Sequence, residues 1–211
     1  MTSRSRKPRL YLAGKISRSG WRDDLLNGRC GYSQSRANFA VDARGEALHV
    51  RDPYHEVDCG DFAYVGPFFE DFGHGAAHGP GTHGAIAEYP LEEELATVSV
   101  KERSDAIAAL KALRAFVFNA NMSAIERADA IFAYVDELDC FGTLVELGHA
   151  FALAKPIFIC LGPSLSEAEK GDLWFALEAA TMVSEWPVDV AFRGLIKSIA
   201  AGALGQFGGR A

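Results

Sequence analysis

Residues 139–159 read DCFGTLVELGHAFALAKPIFI, and from Phe141 onward Glu146 is the single acid in an apolar or small-residue run. A carboxylate on a short helix heading for a buried strand is costly unless something pairs or uses it. Gly142 and Thr143 are small, so a ligand can approach the helix start closely, and Thr143 lies three residues before Glu146 on the same face. Asp136 and Asp139, in the polar loop just before, are placed to hydrogen-bond a polyhydroxy ligand. Unpaired N–H groups and the positive end of the helix dipole favour an ionised Glu146. The bland reading, an acid that only complements a helix dipole, competes with a reactive carboxylate at a ligand crevice.

Other chemistry-bearing residues are less specific. KISRSGWRDD places Lys15, Arg18 and Arg22 after the first apolar run. Such cations suit a phosphate, or form only a solvated turn. Trp21 suits stacking on a base or packing on its own chain. His74, His78 and His83 fall within ten residues of a Gly-rich stretch, with Cys59 or Asp71 as a candidate fourth metal ligand. A lid that donates a proton near neutral pH is the alternative. His149 reads as a packed helix residue. Cys30, Cys59, Cys140 and Cys160 have no CxxC pairing and read as reduced thiols.

The elements that must position these residues follow from apolar periodicity. PRLYLAG predicts a first strand ending in a turn at Gly14. Residues 28–90 are rich in Gly, Asp, His and aromatics, with a strand candidate at 62–65 between turn signals. The stretch 23–100 reads as an irregular insertion carrying a hairpin and lying over a single domain, 1–211. Helical spacing returns near 103, with Ser104 as cap and Ile107, Leu110, Leu113 and Val117 on one face. A buried strand at 130–135, a helix over 142–154 and a strand in KPIFICL follow. Next come an amphipathic stretch capped by Ser166, a strand in TMVSEW and a closing helix near 187–201 with Pro187 in its first turn. Strands alternating with helices imply a parallel α/β sheet with helices on both faces.

Of the 211 residues, 49% are hydrophobic, enough for a substantial core. The net charge of −7 gives no support for nucleic-acid binding. Residues 1–22 carry seven Lys/Arg and no acid, while 23–100 carry fourteen Asp/Glu against four Arg. The basic start, 1–8, has no apolar core and is not a secretory signal; it reads as a solvated, disordered tail or a transit peptide. No apolar run is long enough for a membrane span, and the expected location is the cytoplasm.

YLAGKIS at 11–17, together with ADAIFAYVDELDCFGTLVELGHAFALAKPIFI at 128–159, resembles the nucleoside 2-deoxyribosyltransferase-like family, which includes nucleoside 5′-monophosphate N-glycosidases. The resemblance covers about 9–22 and 118–162. It implies a flavodoxin-like doubly wound sheet and cleavage of an N-glycosidic bond, without a cofactor. It makes Glu146 the nucleophile at C1′ of the sugar and Tyr11 the residue that positions it. Gly14, Lys15 and Ile16 then line the sugar or phosphate side. Asn121 stands where the family often carries an aspartate that assists the leaving base. An amide can hydrogen-bond a base but cannot protonate it, so Asp129, Asp136 or a histidine of the insertion would have to do so. The implied partner is a small nucleoside or nucleotide, bound by a homo-oligomer. An NAD-type glycohydrolase and a non-catalytic nucleotide sensor are the competing readings.

Overall fold

The structure, a computed structural model, describes residues 6–15, 20–26, 56–67, 115 and 118–202. Strand β1 (Arg9–Gly14) is followed by helix α1 (Trp21–Leu26) and by strands β2 (Val57–Asp58) and β3 (Ala63–Gly66). Helical residues 118–127, here α2, lead into β4 (Ala130–Val135), α3 (Phe141–Ala152) and β5 (Ile157–Leu161). Helices α4 (Glu167–Asp172) and α5 (Trp174–Glu178), strand β6 (Met182–Ser184) and helix α6 (Val188–Ala200) complete the order.

The six strands form one sheet in the order β2-β3-β1-β4-β5-β6. All neighbours are parallel except β2 and β3, which pair antiparallel. Central strands are near-continuous apolar runs because both of their faces are covered. On β1, Leu10 and Leu12 join Phe132, Phe158, Leu26 and Phe192 in one core layer. Tyr11 and Ala13 join Ile131, Ala133, Ile159, Ile125 and Leu147 in the other. Helices α1 and α6 therefore cover one face, and α2, α3 and α5 the other. This is the flavodoxin-like α/β arrangement.

Local chemistry explains the joints. Lys155 Nζ donates to the carbonyls of Glu126 and Ala128, each at 2.7 Å, and so caps the end of α2. The Asp129 carboxylate accepts the Arg9 N–H at 2.7 Å and pairs with Arg6, tying the start of β4 to the start of β1. Ser166 closes a capping box with Glu169 at the head of α4. The amphipathic stretch after Ser166 folds as two short helices, broken at the buried Leu173. Pro187 is the cap residue just before α6.

Two differences from expectation stand out. Residues 57–66 belong to the stretch read as an irregular insertion, yet β3 is a sheet strand lying parallel to β1. Helix α3 begins at Phe141 rather than Gly142 and ends at Ala152 rather than Ala154, where a backbone φ of 53° at Ala154 breaks it. Ser104 with its periodic apolar partners, Cys30, the tail before Arg6 and most of 23–100 lie outside the described residues. Among those described, no helix is long and apolar enough to cross a membrane. Cys59, Cys140 and Cys160 form no disulfide.

Candidate active site

Chains of β1 and β4 leave the sheet toward opposite faces, β1 to α1 and β4 to α3. The crevice at the carboxyl ends of such a strand pair is where open α/β sheets bind ligands. Tyr11, fully buried, points into the layer under α3. Its hydroxyl donates to Glu146 Oε1 at 2.5 Å. Asn121 on α2 brings its amide Nδ2 to 3.5 Å from the same oxygen. Among the described residues nothing hydrogen-bonds Glu146 Oε2. Among the described residues one carboxylate oxygen is thus anchored while the other has no partner, which suits a nucleophile.

Electrostatics at this carboxylate differ from the helix-dipole expectation. Glu146 is the sixth residue of α3, and no acid lies in the first turn. Burial is the dominant influence and raises its pKa to about 7, against lowering by the Tyr11 hydrogen bond and the Arg22 charge. Burial, then the Glu146 charge, pushes the Tyr11 phenol well above its ordinary range, so Tyr11 remains a donor.

Around this pair the chain is tightly built. Gly14 has φ +144°, and a Cβ there would lie 2.5 Å from the Tyr134 carbonyl oxygen. Only glycine fits both demands. Lys15 reaches across the crevice to Glu137 at 2.5 Å and Asp139 at 3.2 Å. Burial opposes its charge, but those hydrogen bonds outweigh it and raise its pKa. Asp136 follows β4 directly. Gly162 makes room for it, since a Cβ at 162 would sit 2.6 Å from Asp136 Cβ. Nothing in the linear sequence marks Gly162 beyond a Gly-Pro turn after a buried strand.

Several candidate residues take other places. Arg22 is only 2% exposed, with Nε, NH1 and NH2 on the carbonyls of Leu12, Lys15 and Gly14. Trp21 packs edge-on against Tyr134, with the Arg22 guanidinium 4.4 Å from its ring centre. Thr143 is buried, whereas Gly142 is exposed with open space at its Cα. Asp129 sits at the amino ends of β1 and β4, engaged with Arg9 and Arg6, and is not placed to protonate a leaving group. His149 Nε2 has no hydrogen-bond partner and lies 3.9 Å from Glu126. Ile16, Arg18, Asp71, His74, His78 and His83 lie outside the described residues.

A mostly parallel, doubly wound sheet with an anchored carboxylate at its switch point defines the class, a flavodoxin-like α/β protein. Residues 65–169 match the family model described as nucleoside 2-deoxyribosyltransferase. That match supports an enzyme of the nucleoside deoxyribosyltransferase type, a family that transfers glycosyl groups and binds nucleosides. The matched segment contains Asn121, Asp136, Gly142, Thr143 and Glu146 and begins after Tyr11, Gly14, Lys15, Trp21 and Arg22. No curated protein matches the chain significantly.

Proposed function

We propose that this protein cleaves the N-glycosidic bond of a nucleoside or nucleoside 5′-monophosphate, with Glu146 as nucleophile. The observation that carries the reading is the Tyr11–Glu146 hydrogen bond, which anchors Oε1, while no described residue bonds Oε2. Oε2 attacks C1′ as the bond to the base breaks, and the bonding electrons leave with the base. A carboxylate beside C1′ stabilises the oxocarbenium character that builds on the sugar. The glycosyl ester then passes to a second base, giving exchange, or to water, giving hydrolysis.

Asp136, at the carboxyl end of β4, contacts the sugar or supplies the proton that Asn121 cannot. Gly14, Lys15, Gly142 and Thr143 shape the sugar side. The enzyme works as a cytoplasmic homo-oligomer and needs no cofactor.

The test is a panel of nucleosides, 5′-monophosphates and NAD, followed by chromatography for free base. Release from a nucleoside or monophosphate, abolished in Glu146→Ala, is expected. Full activity in that variant sinks the assignment. Release from NAD alone favours the glycohydrolase reading, and thermal stabilisation without turnover favours a sensor.

A further inference from the structure

Arg22 was a candidate phosphate ligand in the sequence, and the structure places it elsewhere. The pairing of β3 with β1 stops at Gly66 opposite Tyr11. Beyond that point the carbonyls of Leu12 and Gly14, two residues apart, point to the same side of β1. Arg22 takes both, at 2.8 and 2.5 Å, and also the carbonyl of Lys15 at 2.8 Å. Buried carbonyls without partners are expensive, and a planar fork of donors satisfies several at once.

We propose that Arg22 is a positioning residue for Glu146, its buried guanidinium standing in for the strand that β3 no longer provides and fixing the β1 tail beside Tyr11. The guanidinium holds the carbonyl of Leu12, the residue after Tyr11, and Tyr11 anchors the carboxylate. The same tail carries Lys15 to the acidic loop before α3. The Trp21 ring against the guanidinium and the lack of a Cβ at Gly14 keep it in place.

The positive charge has a second effect. It favours the ionised form of Glu146, which burial disfavours. Among the described residues, the charged or titratable groups that bear on this carboxylate are Tyr11 on β1 and Arg22 on α1, with Tyr64 on β3 acting on Tyr11. From α2 the neighbouring group is the neutral Asn121, and the His149 imidazole on α3 lies 3.9 Å from Glu126.

This inference rests on Glu146 being the working carboxylate, but its test does not need turnover. The Glu146 side-chain carbon is followed by NMR as pH is varied in the intact wild-type protein, in Arg22→Gln and in Arg22→Lys. The titration midpoint is expected at higher pH in Arg22→Gln and near the wild-type value in Arg22→Lys. Where base release is measurable, Arg22→Gln loses kcat at pH 9, where the carbonyls are unheld, and its kcat/KM falls about a further tenfold at pH 6, the size of one charge pair's effect on a carboxylate. Arg22→Lys keeps the wild-type acid limb but loses kcat, because one ammonium cannot hold three carbonyls. If Arg22→Gln does not fold, Arg22→Lys decides: a displaced midpoint, or kcat equal to wild type, overturns the proposal. An unmoved midpoint in a folded Arg22→Gln also overturns it. So does a rise in KM for 5′-monophosphates alone, which would make Arg22 a phosphate ligand. Absence of turnover in wild type counts against the proposed function and leaves the midpoint comparison standing.

Discussion

The Tyr11 hydroxyl and Glu146 Oε1 lie 2.5 Å apart although 135 residues separate them in the chain. Parallel pairing of β1 with β4 brings the two together, because α3 must cross back over the strand that precedes it. Removing the phenol oxygen tests what this contact does. Tyr11→Phe keeps the packing and deletes one hydrogen bond to a charged group, worth about 1.5–3 kcal/mol. Base release should fall roughly 10- to 100-fold at pH 7, with a melting temperature several degrees lower. Wild-type kcat in Tyr11→Phe would exclude an orienting role.

The pKa of Glu146 gives a stability signature of defined sign. It is about 7 in the folded chain against an ordinary 4.5. Between those values the folded protein holds a proton that the unfolded chain has released, so this group's contribution to stability declines as pH rises from about 4.5 to about 7. Glu146→Gln removes the ionisation. Calorimetry should show it melting above wild type at pH 8, with the gap closing by pH 4. A gap that is the same at both pH values would contradict the raised pKa.

Asn121 offers a choice between two roles. Its amide lies 3.5 Å from Glu146 Oε1. Asn121→Asp puts a second carboxylate there, and like charge raises the pKa of the pair. The acid limb of base release should move to higher pH. Faster release at unchanged pH dependence would instead place residue 121 at the leaving base.

Gly162 should matter to the site although it carries no chemistry. In Gly162→Ala the new methyl meets the Asp136 backbone at 2.8 Å. The loop after β4 must shift, so KM for the substrate should rise several-fold while far-ultraviolet dichroism stays native. Unchanged kinetics would remove Asp136 from the list of substrate contacts.

Lys155 is expected to act through helix α2. Lys155→Met strips the charge-assisted bonds from two carbonyls and should cost about 2 kcal/mol in denaturant unfolding. A loss below a few tenths would show that water replaces the ammonium there.

Much of the fold is legible because buried parallel strands are apolar on both faces. β4 occupies the residues that its apolar run indicates, 130–135. β3 is visible as a short strand, but its place beside β1 is not, since a four-residue strand carries no local mark of its partner. Glu146 stands out as a misplaced acid, and Tyr11 does not, because alternation alone leaves open which face of β1 meets Glu146. Arg22 and Asp129 mislead for one reason. Charged residues near a strand end are usually exposed, and these two spend their charge on backbone groups of β1.

Tyr11 and Leu12 are adjacent, yet one serves the layer of Glu146 and the other the opposite layer with Phe132. The site therefore depends on parity along β1. A one-residue insertion or deletion before Tyr11 would turn a leucine toward the carboxylate and the phenol away from it. The same slip would exchange the side chains that fill both core layers. Frame errors of this kind lose the Tyr11–Glu146 contact and the fold together, so the hydroxyl that anchors Glu146 also reports that β1 has docked in register.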